Sequence, residues 1–220
     1  MTREEIKKRI MEIGVLPVVR VSSPHEAKLA VEAVCKGGIP IVEITMTVPG
    51  AVEIIHELSK SLGSTVLIGA GTVLDAESAR KCLDVGAQFV VSPGLDLATM
   101  EFVLKEEKVM MPGALSPSEI ITAWRAGADF VKVFPCGSVG GAKYIKALKG
   151  PLPQIPLVPT GGVNLETAAD FILAGAEALG VGGELVQTAA LKAGKPEVIV
   201  EAARMFVNIV QQARASRASL

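Results

Sequence analysis

Short apolar runs recur along the whole chain, each followed by a stretch with helical patterning. This repeat limits the possible folds more than any other feature. About eight runs fall roughly 20–27 residues apart, which is the pitch of one strand–helix unit. They cover residues 15–21, 39–45, 66–71, 88–92, 109–112, 129–134, 157–160 and 178–182. Most lack clean alternation, as parallel strands covered on both faces do. The intervening segments open with helix-start signals. Ser23-Pro24-His25-Glu26 and Ser116-Pro117-Ser118-Glu119 each place Ser at the N-cap, Pro first and Glu third, a capping box. Thr2-Arg3-Glu4-Glu5 makes the same box without Pro. Helix stops fall at Gly37-Gly38, Gly86, Gly127 and Gly175, where glycine supplies a left-handed residue. The stretch from 196 to about 215 puts Ile199, Ala202, Met205, Phe206 and Ile209 on one face of an amphipathic helix, with 216–220 fraying. The pattern predicts an α/β fold, a (β/α)8 TIM barrel in one domain over 1–220, with an N-terminal helix and the C-terminal amphipathic helix added. An open doubly wound sheet is the alternative, but the pitch never changes and no long connection separates two halves.

Composition narrows the function. The chain is 50% hydrophobic and 20% charged, with a net charge of −1, so a disordered chain is excluded. No basic cluster is present, which argues against nucleic acid as a partner. No apolar run reaches about 18 residues, so no spanning helix and no membrane partner are expected. The N-terminus lacks the apolar stretch of a signal peptide. Cys35, Cys82 and Cys136 are odd in number and widely spaced with no CxxC pair, which argues against a disulfide framework or a thiolate zinc site. A cytoplasmic protein is expected. His25 and His56 fall in helical segments and read as solvated side chains, not ligands.

In a barrel the active site lies at the carboxyl ends of the strands. The polar residues there are Arg20, Glu43, Thr45, Thr72, Ser92, Lys132 and Thr160. Lys132 stands in Phe130-Val131-Lys132-Val133-Phe134, among four apolar neighbours. Desolvation disfavours the ammonium, and a neutral lysine attacks carbonyl carbon to form a Schiff base. A buried ion pair, or a stem that snorkels to the barrel mouth, is the structural alternative. Glu43, in Ile41-Val42-Glu43-Ile44, is a charge on a strand otherwise made for burial. It suits proton transfer in a dry pocket, or a salt bridge to Lys132. Gly161-Gly162 and Gly182-Gly183 follow the last two strands, where glycine amides beside helix N-termini cradle phosphate in such barrels, or simply make tight turns. Gly69-Ala70-Gly71-Thr72-Val73 lacks the third glycine of a dinucleotide fingerprint. Arg20 ends the first strand, where it either holds a carboxylate bidentately or is an ordinary surface arginine.

Six motifs occur in order at this pitch: Glu43-Ile44-Thr45, Gly69-Ala70-Gly71-Thr72-Val73, Ser92-Pro93-Gly94, Met111-Pro112-Gly113, Phe130-Val131-Lys132-Val133-Phe134-Pro135 and Pro159-Thr160-Gly161-Gly162-Val163. Together, from about Ile6 to Phe206, they resemble the 2-keto-3-deoxy-6-phosphogluconate / 4-hydroxy-2-oxoglutarate aldolase family. The resemblance implies a class I aldolase on a (β/α)8 barrel, a homotrimer, acting on a small-molecule 2-oxo acid without metal or cofactor. It implies that Lys132 forms the imine and Glu43 is the general acid/base. Thr72 contacts the pyruvyl carboxylate and Thr160 lines the pocket. Gly161, Gly162, Gly182 and Gly183 offer amides to the far end of the substrate, and Phe134 and Pro93 shape the pocket. Two positions depart from the family. Thr47 stands where many members carry an arginine, and Arg20 is expected to replace it. Glu184 stands where a phosphate-binding serine is common. It either turns to solvent or caps a helix, or the substrate carries no phosphate. Two other classes compete: a non-covalent isomerase or epimerase using Glu43 and Lys132, and a non-catalytic binding barrel.

Overall fold

The computed structural model describes residues 1–218. Its strands are β1 (Val15–Val19), β2 (Ile41–Thr45), β3 (Leu67–Gly71), β4 (Phe89–Val91), β5 (Val109–Met111), β6 (Gly113–Ala114), β7 (Val131–Val133), β8 (Leu157–Pro159) and β9 (Leu179–Val181). Its helices are α1 (Arg3–Ile13), α2 (Pro24–Lys36), α3 (Ala51–Leu62), α4 (Ala76–Asp84), α5 (Leu97–Lys105), α6 (Pro117–Arg125), α7 (Ala142–Lys149), α8 (Ala168–Leu173), α9 (Thr188–Lys192) and α10 (Glu197–Ala218). Every strand residue is buried, as a sheet sandwiched between its own side-chain interior and a coat of helices requires. Among the described residues no helix is long and apolar enough to cross a membrane.

The strands pair in parallel as two arcs, β5-β4-β3-β2-β1-β9 and β6-β7-β8. The arcs follow ring order and meet at two seams. At one, Pro112 cuts a single run into β5 and β6, because proline has no N–H for the ladder. Met111 then stands opposite Val91 on β4, while Gly113 stands opposite Lys132 on β7. At the other, β8 and β9 are joined by the lone bridge Thr160–Gly180 and by the Glu177 N–H donating to the Leu157 carbonyl at 2.9 Å. The α/β class and the parallel ring expected from the sequence are present. Strict closure is not: the ladder is interrupted at both seams, and the fifth strand is two pieces.

Helix boundaries follow the local chemistry. Thr2 and Ser116 make complete capping boxes with Glu5 and Glu119. Ser23 accepts from the Glu26 N–H, but the box is incomplete. The Glu26 carboxylate accepts from the Ser22 N–H and Oγ instead, at 2.9 and 2.8 Å. Gly38, Gly86, Gly127 and Gly175 all have positive φ at helix ends. α1 lies across the amino ends of the strands. Its Arg9 donates to the Thr65 carbonyl ahead of β3, and its Arg3 Nε donates to Asp129 ahead of β7 at 3.0 Å. Ile6 and Ile10 of α1 are buried. α10 buries Ile199, Ala202, Ala203, Phe206, Val210 and Ala213. The face expected from the sequence is thus rotated: Met205 is exposed and Ile209 only half-buried. The expected fraying does not occur at 216–218, which are helical; Ser219 and Leu220 lie outside the described residues.

Candidate active site

A cavity of about 430 Å³ opens where the strands end at their carboxyl termini. Lys132, the middle residue of β7, lines it while only 4% exposed. Glu43, the middle residue of β2, is 1% exposed and stands behind the cavity wall. The two charges come from different arcs and meet inside the ring, with Nζ of Lys132 4.0 Å from Oε1 of Glu43. That oxygen has no hydrogen-bond partner among the described residues. Burial pushes the Glu43 carboxyl above its ordinary value, against the opposing pull of Lys132 and Arg20. The Phe134 ring lies 5.4 Å from the Lys132 nitrogen.

The backbone around this pair is shaped for it. A Cβ on Gly71 would fall 1.8 Å from Oε1 of Glu43, so the carboxylate rests on the bare face of β3. Thr72, next in the chain, has φ of 57°, an unfavourable left-handed conformation for a β-branched residue. Such strain concentrates at ligand sites, and Thr72 lines the cavity. The Thr160 side chain rests on Gly180 in the same way, a Cβ there falling 2.1 Å from Thr160 Oγ1. Gly161 and Gly162 turn the chain after β8 with φ of 86° and 78°.

Arg20, Thr72, Pro93, Phe134, Thr160, Gly161, Gly162, Gly182 and Gly183 all line the same cavity as Lys132. Thr45 and Ser92 do not, and both are committed to the backbone. Thr45 donates to the Val19 carbonyl at 3.2 Å, and Ser92 to that of Gly94 at 2.6 Å. The glycine pairs are on the wall and close to helix N-termini: the Gly162 carbonyl accepts from Oγ1 of Thr167, the N-cap of α8, at 2.9 Å, and Thr188, the first residue of α9, lines the cavity with Gly182 and Gly183. α8 begins after an Asn164–Thr167 turn, and α9 begins at Thr188. Thr47 is off the wall, with its Oγ1 2.8 Å from that of Thr45. Glu184 lines the cavity mouth and caps no helix, since α9 has no side-chain cap. Val18 and Thr188 also line the cavity. Alternation from Arg20 points to Val18, while no sequence signal points to Thr188.

A family model described as "Aldolase: KDPG and KHG aldolase" matches residues 6–202. The chain is 37% identical over 161 residues to the 2-dehydro-3-deoxy-phosphogluconate aldolase of Pseudomonas aeruginosa, covering 73% of each. It is 32% identical over 194 residues to the KHG/KDPG aldolase of Escherichia coli K12, covering 88% of this chain and 90% of that one. A solved KDPG aldolase from Legionella pneumophila, with pyruvate captured as a covalent carbinolamine, matches with a TM-score of 0.82. That match has 29% identity and covers 89% of this chain and 95% of the other.

Proposed function

The chain belongs to the KDPG and KHG aldolase family, and from that premise we propose that Lys132 is its imine-forming amine and Glu43 its general acid/base. One observation carries the reading: an amine on the cavity wall with a buried, unpartnered carboxylate oxygen 4.0 Å behind it. The reaction is cleavage of 2-keto-3-deoxy-6-phosphogluconate to pyruvate and glyceraldehyde 3-phosphate, of 4-hydroxy-2-oxoglutarate to pyruvate and glyoxylate, or of both.

The Lys132 amine, once it has given up its proton, adds to the C2 carbonyl, giving a carbinolamine. Loss of water leaves an iminium, which is the electron sink. The C4 hydroxyl gives up its proton, the C3–C4 bond breaks, its electron pair moves toward the iminium, and an aldehyde leaves. The remaining enamine takes a proton at C3, and water hydrolyses the imine to release pyruvate and the amine. Glu43, kept protonated to higher pH by its burial, holds and returns the mobile proton. Arg20 and Thr72 hold the pyruvyl carboxylate, Phe134, Pro93 and Thr160 shape the pocket, and the glycine amides of 161, 162, 182 and 183 face the far end of the substrate.

Borohydride with pyruvate should reduce an adduct onto Lys132, and Lys132→Met should abolish it. The enzyme should exchange the C3 protons of pyruvate with deuterium from solvent, and Glu43→Gln should slow this by about a hundredfold or more. An untouched Lys132, with no exchange by the wild type, rejects the assignment. For Arg20, weakened pyruvate binding in Arg20→Ala is expected, and unchanged affinity removes it from the site. We further read the working unit as a cytoplasmic homotrimer. Leu74, 63% exposed, and Leu97, 51% exposed, lie beside the starts of α4 and α5 and suit burial between subunits. Three free thiols suit a reducing compartment. Light scattering that returns the mass of one chain rejects the trimer, and a membrane or exported fraction rejects the compartment.

A further inference from the structure

The cavity wall carries three ionisable side chains: Lys132, Arg20 and Glu184. The first becomes the imine, on the reading above, on which this inference rests. The second lies directly after β1, and its charge acts inward on Glu43. Glu184 is different. It lies three residues past β9 on the loop leading to α9, at the exposed mouth of the cavity. It makes no ion pair with any described residue, and its only described hydrogen bond is through its backbone carbonyl, to Gln187. A substrate with C2 on Lys132 is anchored deep in the ring, so its far end runs outward to this mouth. There it meets Gly182, Gly183, Thr188 and Glu184.

We infer that Glu184 is a specificity-determining residue that lowers the enzyme's selectivity for the 6-phosphorylated substrate and admits the same 2-keto-3-deoxy acid ending in a neutral hydroxyl. A hydroxyl donates to the carboxylate and accepts from the neighbouring amides, and such a charge-assisted bond is stronger than a neutral one. A dianionic phosphate has no proton to donate there and is repelled.

The test compares kcat/KM for cleavage of 2-keto-3-deoxygluconate and of its 6-phosphate, in the wild type, Glu184→Gln and Glu184→Ser. Each value is normalised to that variant's own pyruvate exchange rate. The phosphorylated-to-unphosphorylated ratio should rise about tenfold in both variants, the size of effect one added charge produces near a protein surface. Raising the salt should raise the wild-type ratio relative to those of the variants, because the cationic groups on the wall are screened alike in all three and only the wild type also loses a repulsion. A ratio that moves less than about threefold on substitution, or a wild-type-to-variant comparison indifferent to salt, overturns the inference. Absence of pyruvate exchange in the wild type would instead overturn the aldolase assignment, so the two failures are distinguishable.

Discussion

The carboxylate of Glu43 occupies the space into which any residue but glycine at 71 would put its Cβ. Gly71→Ala should therefore displace the carboxylate proposed to carry the proton without touching the amine. The expected result is pyruvate exchange reduced about a hundredfold, with Lys132 still trapped by borohydride. Loss of both signals would mean that the strand, not the carboxylate, had moved. Glu43 also gives a pH signature. Its carboxyl is raised in the fold above its ordinary value of about 4.5. Below that pH both folded and unfolded chains hold the proton. As the pH rises through it, the unfolded chain ionises first, so this group's contribution to stability declines until the native carboxyl also ionises. The urea midpoint of the wild type should fall relative to Glu43→Gln from about pH 4.5 upward, and parallel profiles would refute the shift. Lys132 and Glu43 were legible in the sequence because a lone charge in an apolar run has few outlets. The duty of Gly71 was not, because it is imposed by a side chain on the neighbouring strand.

Among the elements, α1 and α10 differ in how much of their docking could be read in advance. The Asp129 side chain is 1% exposed, with Arg3 Nη2 at 2.9 Å and Lys7 Nζ at 3.5 Å, and it accepts from the Met110 N–H at 3.0 Å. It fastens α1 to the amino ends of β5 and β7. Asp129→Ala leaves that N–H buried without a partner and should cost about 1–3 kcal/mol in denaturant titration. No local pattern announces this latch, since its members lie more than a hundred residues apart. In α10 a helical period was evident, but its phase was misjudged. Small residues such as Ala203 and Ala213 are buried against the fold, and the larger Met205 is left outside. Periodicity read from bulk alone favours methionine over alanine, whereas close packing against α8 and α2 needs the smaller side chain. Phe206→Ala should cost about 3–5 kcal/mol, whereas Met205→Lys should stay within about 0.5 kcal/mol. A large cost at Met205 would point to a surface covered in the assembly.

At the scale of the molecule, the repeat of strand and helix made the ring legible, and six motifs at that pitch made the site legible. The seams were not, because closure depends on how β8 and β9 and the halves around Pro112 align. Native-state hydrogen exchange should find the Glu177 amide, which donates across the β8–β9 seam, less protected than those of β2 and β3. Even protection around the ring would show a seam as strong as the rest. The other end of the ring is stoppered by α1, held on both sides through Arg9 and Arg3. A vessel with one neck imposes a queue. On the Schiff-base reading, pyruvate is tethered at the bottom and the aldehyde sits above it, so the aldehyde must depart before hydrolysis frees the three-carbon fragment. Until then, an incoming aldehyde meets a loaded enamine, and the same doorway serves carbon–carbon bond making as readily as breaking.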